Sequence, residues 1–148
     1  MKSVVFTWGT SRGRDTYGYT TCTCKVDGKR LGSVNGGGYD LKGAAFADAL
    51  EKIAHDRLIE LARTKAHRYN TKTKDGHYGP GRQNPDERAA HYGLSAVTDE
   101  DGNVISVHLD GACGFDSMVR VAKDLGYSLN LVDSSSLREC YAMTEAGE

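Results

Sequence analysis

Two short stretches hold the residues best placed for chemistry. In "SVNGGGYDLKG" (33–43), Gly36, Gly37 and Gly38 run into Tyr39 and Asp40 where a strand pattern gives way to a helix pattern. In "LDGACGFDSM" (109–118), Cys113 and Gly114 precede Phe115 and Asp116 at a second such junction. Free amides at the start of a helix attract anions, and glycine lets a phosphate or carboxylate reach them. Gly36, Gly37, Gly38, Asp40, Cys113, Gly114 and Asp116 are therefore the candidate ligand-binding residues, with an anionic nucleotide as the ligand class. Neither junction has the GxGxxG or GxxxxGK[ST] order of a phosphate loop. The other reading is a tight turn whose aromatic residue plugs the core beneath the helix.

Cys113 lies near a helix start, where the dipole lowers a thiol's pKa, and His108 or His91 would serve as base with Asp110 as orienting partner. The matching position in the first stretch is Gly37, so a small residue satisfies the turn, and no catalytic residue is assigned. Cys22, Cys24, Cys113 and a histidine would supply the four ligands zinc takes. A C-x-C on a strand is not the spacing of a compact zinc module, however, and neither a metal nor a cofactor is expected. The default for Cys22 and Cys24, two apart on a strand, is one shared face in a sheet core.

A third set is basic. Arg63, Lys65, Arg68, Lys72, Lys74 and Arg82 are opposed between 63 and 82 only by Asp75, and Tyr69, His77 and Tyr78 are interleaved. Such a segment can follow a phosphate backbone and stack on bases. It can also dock on an acidic protein surface in a salt-sensitive way, or simply be a solvated loop. The candidate partner-binding residues are Arg63, Lys65, Arg68, Tyr69, Lys72, Lys74, Tyr78 and Arg82.

The elements that must position these residues are legible from periodicity. Lys2 to Trp8 is strand-like. Two β-prone runs flank Asp27-Gly28, a dipeptide that tolerates the left-handed conformations of a hairpin turn. A helix is predicted from Leu41 to Lys65, with Ala45, Ala49, Leu50, Ile53, Leu58 and Leu61 as its apolar stripe and Asp40 as N-cap. An aperiodic middle holds both prolines. Then the pattern returns: β-prone runs around Asp101-Gly102 lead through Gly114, Phe115 and Asp116 into a helix carrying Met118, Val121, Ala122 and Leu125, with Asp116 as the expected cap. A strand at "SLNLVD" and a weaker one near Cys140 to Met143 follow.

The chain thus reads as one α+β domain: two ββα-like units forming a mixed or antiparallel sheet, with two main helices packed on one face. The first unit spans about 16–68, the basic loop about 69–90, the second unit about 93–127 and the last strands about 128–144. The 148 residues suffice for a core without disulfide or metal staples. Net charge is −1, but residues 1–98 carry 16 basic against 10 acidic side chains and residues 99–148 carry 3 against 10. That division either holds two parts of one fold together or presents two faces to partners. No apolar run approaches a membrane span and the start lacks a signal-peptide pattern, so a cytoplasmic protein with reduced thiols is expected.

"SVNGGGYDLKGAAFADAL", "HYGL" and "LDGACGFDSMVRVAKDLGY" together resemble small accessory proteins of tailed phages and prophages, in which a Gly-Gly-Gly-Tyr-Asp turn enters one helix and a Gly-Ala-Cys-Gly turn enters a second. The resemblance covers roughly residues 20–130 and carries over no catalytic residues. It implies a viral protein acting in the cytoplasm of a bacterial host. It also implies binding to a host protein or nucleoprotein complex, as in inhibitors of bacterial defence such as anti-CRISPR proteins, or sequestration of a small nucleotide signal. Nucleic acid is a further candidate partner through the basic loop.

Overall fold

A computed structural model describes residues 1–9, 21–36, 40–65, 70–73, 93–101, 103–111 and 114–145. Eight strands and three helices are found among them: β1 (Lys2–Gly9), β2 (Thr21–Val26), β3 (Lys29–Asn35), α1 (Leu41–Ile53), α2 (His55–Lys65), β4 (Asn70–Thr73), β5 (Leu94–Thr98), β6 (Val104–Leu109), α3 (Phe115–Asp124), β7 (Tyr127–Ser134) and β8 (Arg138–Glu145). The fold is α+β, with helices packed on an antiparallel sheet. No helix among the described residues is long and apolar enough to cross a membrane.

The main sheet has the order β3-β2-β1-β8-β7 and every pairing in it is antiparallel. Its first hairpin turns where the sequence places it: Asp27 has φ 52° and Gly28 φ 82°, the twist a two-residue turn between right-twisted strands requires. Asp27 also ties the hairpin to β1 by accepting a hydrogen bond from the Ser3 amide at 2.9 Å. The alternation of β1 sends Val4 and Phe6 inward, and Cys22, Cys24 and Val26 opposite them complete the buried face. Across that face α1 lays Ala45, Phe46, Ala49 and Leu50, while α3 adds Met118, Val121, Ala122 and Leu125. Phe6, Phe46, Phe115 and Tyr141 meet there with ring centroids 5.5–5.9 Å apart. Phe6 and Phe46 are fully buried, each worth roughly 1.5–3 kcal/mol, and Phe115 is partly buried against them.

The second hairpin, β5–β6, belongs to a different sheet. It joins β4 in the order β4-β5-β6, with β4 parallel to β5. The two hairpins of similar sequence therefore do not pair with each other. Asp99 builds the second turn by accepting from the Asp101 and Asn103 amides, both at 2.9 Å. Four residues of the span expected to be loop, Asn70–Thr73, form β4.

The single helix expected over 41–65 is two. Ala54 leaves helical geometry at φ −131°, ψ 29°, while its amide still donates to the Leu50 carbonyl and its carbonyl accepts from the Leu58 amide. The break re-aims the chain. Helix α1 covers the main sheet, whereas α2 sets Ala62 and Ile59 against Ala96, Val104 and Val107 of the small one. Glu51 on α1 fastens the small sheet by accepting the Leu109 amide at 2.6 Å and pairing with His108 Nδ1 at 3.1 Å.

Candidate functional site

The two glycine-rich junctions, 75 residues apart in sequence, meet at one place, and Asp40 is the residue that joins them. Its extended backbone (φ −73°, ψ 94°) makes it the N-cap of α1, and Oδ1 accepts the Gly43 amide at 3.0 Å. Its other oxygen, Oδ2, accepts the Phe115 amide at 2.7 Å. One carboxylate therefore sits on the first turns of α1 and α3 together, at the positive end of both dipoles.

Glycine at two positions makes this meeting possible. A methyl group at Gly43 would lie 2.7 Å from the Gly111 carbonyl oxygen and 2.8 Å from the Phe115 nitrogen, and one at Gly111 would collide with the backbone of Ala44. Gly114 holds φ 109°, which L side chains rarely adopt. The glycines of the second junction thus answer to a turn and to close backbone approach.

Asp116, expected as the cap of α3, does not cap it. The N-cap position is Gly114, which has no side chain to offer, and Asp116 stands in the first turn of the helix. Its anticipated task falls to Asp40 from the other junction, because the two elbows touch and one carboxylate reaches both amides. Gly36 is described with φ 133°; Gly37, Gly38 and Cys113 lie outside the described residues.

Beside Asp40 is a group that sequence reasoning missed. The Lys42 ammonium donates to Glu139 at 2.7 Å and to the Tyr141 hydroxyl at 3.1 Å, and Tyr141 donates to Glu139 at 3.0 Å. The ammonium also stands 4.2 Å from the centre of the Phe115 ring. Burial alone would lower the pKa of Lys42, but the bonds to Glu139 and Tyr141 outweigh it and hold the proton above the ordinary lysine value. Burial raises the Tyr141 phenol as well. A signal for Lys42 existed in the sequence: a cation in the first turn of a helix opposes the dipole, so a counter-charge from elsewhere was required. Glu139, on the inward face of β8, supplies it.

Asp40, Lys42, Gly114, Phe115, Asp116, Ser117 and Arg120 line a cavity of about 390 Å³, within the range of small-molecule sites. Its electrostatics do not favour an anion. Lys42 and Arg120 share its lining with the carboxylates of Asp40 and Asp116, Lys42 is already engaged by Glu139, and Asp40 occupies the Gly43 and Phe115 amides a phosphate would seek.

Nucleophile chemistry has no support from Cys22 and Cys24. Both are fully buried and burial pushes each thiol up to about 12, with the charge of Asp40 adding to the rise at Cys22 and that of Cys22 at Cys24. His108, proposed as a base for Cys113, is paired with Glu51. No group of three His, Cys, Asp or Glu among the described residues is arranged to hold a metal ion.

Of the basic set, Arg63 is exposed on α2 and lies 3.7 Å from Glu60. Lys65 ends α2 and Lys72 lies on β4, the outer strand of the small sheet. Arg68, Tyr69, Lys74, Tyr78 and Arg82 lie outside the described residues. Compared with known proteins, the chain matches no family model, no curated protein and no solved structure.

Proposed function

We propose that the chain is a non-enzymatic accessory protein of the phage kind, which binds a host macromolecule through its basic segment and by doing so inhibits a bacterial defence complex. The observation that carries the binding role over its competitor is the double hydrogen bond of Asp40: the Gly43 and Phe115 amides, at the two helix starts where a nucleotide's phosphate would be received, already hold the chain's own carboxylate. With two of its amides taken by Asp40, the meeting of the helix starts is a weaker anion site than its sequence suggests, which favours binding elsewhere on the chain. The surface with the clearest charge character in the sequence is the run from Arg63 to Arg82, six cations against one carboxylate. The phage-like junction sequences supply the host context and, with it, action in the bacterial cytoplasm.

Charge reversal is the test. The variant Lys72→Glu, Lys74→Glu, Arg82→Glu, with circular dichroism and a melting curve matching those of the parent, should lose the salt-sensitive capture of a host protein or nucleoprotein complex from bacterial lysate that the parent chain shows. Capture by the variant equal to that of the parent would overturn the proposal.

The cavity beside Asp40 is the one feature that favours a small-ligand protein, binding or hydrolysing an anionic nucleotide at the helix starts. A nucleotide that stabilises the fold in a melting assay, and whose effect disappears in Arg120→Ala, would establish that alternative.

A further inference from the structure

The main sheet ends in two very different edges. At β3 the edge is guarded: Lys29 and Arg30 are exposed, and the Lys52 ammonium of α1 donates to the Leu31 carbonyl. Such cations are the usual means of keeping an edge strand from pairing with another chain. At β7 the cations gather only at the start of the strand, where Arg57 donates to the Leu125 carbonyl at 3.3 Å and stands with Lys2 over the Tyr127 ring at 4.9 and 5.3 Å, and the strand beyond it carries none. No charged residue occurs from Tyr127 to Val132, β7 has a pairing partner among the described residues only on its β8 side, and Leu131, Val132 and Leu137 at that end are 53%, 61% and 64% exposed.

The segment open for pairing has defined limits. Gly126, at φ 95°, precedes it, and the register with β8 slips between Leu131 and Asp133, so Val132 is a bulge. Between them lie five regular residues, 127–131, with Leu129 at the middle. We propose that a second copy of this chain pairs antiparallel with this edge across a two-fold axis through Leu129, joining two five-stranded sheets into one of ten strands. The inference is independent of the host-binding role.

This register is self-complementary. An isologous contact brings residue i against j and j against i, here Tyr127 against Leu131 and Ser128 against Asn130, with Leu129 against itself. Tyr127, Leu129 and Leu131 share the inward face, since Leu129 opposes Met143 and Leu131 opposes Tyr141, both buried. Pairing therefore extends the apolar face across the axis and covers the exposed Leu131, while Ser128 and Asn130 meet on the other face as hydrogen-bonding partners. No like charges oppose one another within the five residues. A five-residue edge falls short of the roughly 1,200 Å² that a standard stable interface buries, so the association depends on concentration.

The test has two parts. Sedimentation of the full chain should show mass rising from monomer toward dimer with concentration, and Leu131→Lys, a substitution at an exposed position, should remain monomeric with unchanged circular dichroism. In a Cys140→Ser background, Ser128→Cys protein mixed with Asn130→Cys protein should form an oxidised dimer at least tenfold faster than either protein alone, because opposed Cβ atoms across an antiparallel pair lie within disulfide reach. A parent chain that stays monomeric at all concentrations, a dimer unaffected by Leu131→Lys, or cross-linking no faster in the mixture would each overturn the proposal.

Discussion

Replacing Asp40 separates a carboxylate that caps one helix from one that joins two. Asparagine is about as good an N-cap as aspartate, so if Asp40 served α1 alone, Asp40→Asn would leave stability within a few tenths of a kcal/mol. In the observed geometry, however, the two oxygens accept from Gly43 at 3.0 Å and Phe115 at 2.7 Å, and asparagine has only one acceptor oxygen. Its NH2 group must then face an amide donor, which leaves a part-buried N–H unsatisfied at a cost of about 1–3 kcal/mol. Asp40→Ala loses the cap as well, a further 0.5–2 kcal/mol or so, for a total of about 1.5–5 kcal/mol. Urea unfolding at pH 7, followed by circular dichroism, measures both. An Asp40→Asn chain within 0.5 kcal/mol of the parent, where about 1–3 is expected, would refute the bridging role.

Gly43→Ala should destabilise although it adds a helix former inside a helix: the new methyl meets the backbone of the second junction at 2.7–2.9 Å, and overpacking of that kind costs about 1–3 kcal/mol, against the gain of about 1 kcal/mol that an open helix site would show. Lys42→Met should cost about 1–3 kcal/mol at pH 7 by removing the ammonium from Glu139 and Tyr141 and leaving the Glu139 carboxylate with the Tyr141 hydroxyl in place of a counter-charge. Because folding raises the pKa of Lys42, the advantage of the parent over this variant is full below the ordinary lysine pKa of about 10.4 and shrinks as the pH rises through the folded value. Urea midpoints between neutral and alkaline pH check both the size and the sign. Cys22 and Cys24, pushed up to about 12 in the fold, ionise near 8.5 when unfolded. The folded state thus retains protons that the unfolded state loses, and stability falls as the pH rises from about 9 toward 12. Thiol labelling at pH 8 should spare both residues in the native chain and modify both in denaturant.

Local chemistry was legible and long-range chemistry was not. The Asp27-Gly28 hairpin, the shared inward face of Cys22 and Cys24 and the apolar stripe of α3 each follow from two to four neighbouring residues, and the structure has them where the pattern puts them. The break at Ala54 left no trace, because a buried alanine continues the stripe of a straight helix as readily as it ends one, and neither glycine nor proline marks it. Strand β8 was barely visible in "RECYAMTE", since the glutamate and tyrosine it turns inward are there to meet Lys42 of α1. The likeness of the two junctions suggested that each aspartate caps its own helix. That reasoning had no means of knowing that the junctions touch, which is why Asp40 was assigned half its role and Asp116 a role it lacks. The separation of the two hairpins into two sheets is likewise a matter of how α1 and α2 divide the core.

Asp40 makes the meeting of the two helix starts a structural joint by accepting from the Gly43 and Phe115 amides together, and the proposed surface-binding role requires that this joint take no anion. The most direct test is the melting temperature of the parent chain in millimolar inorganic phosphate and a panel of mono-, di- and cyclic nucleotides. A site filled to 100 times its dissociation constant would add about 2.7 kcal/mol of stability. With Asp40 on both amides, none of these anions should shift the melting temperature. A saturable rise that is abolished by Arg120→Ala would contradict this.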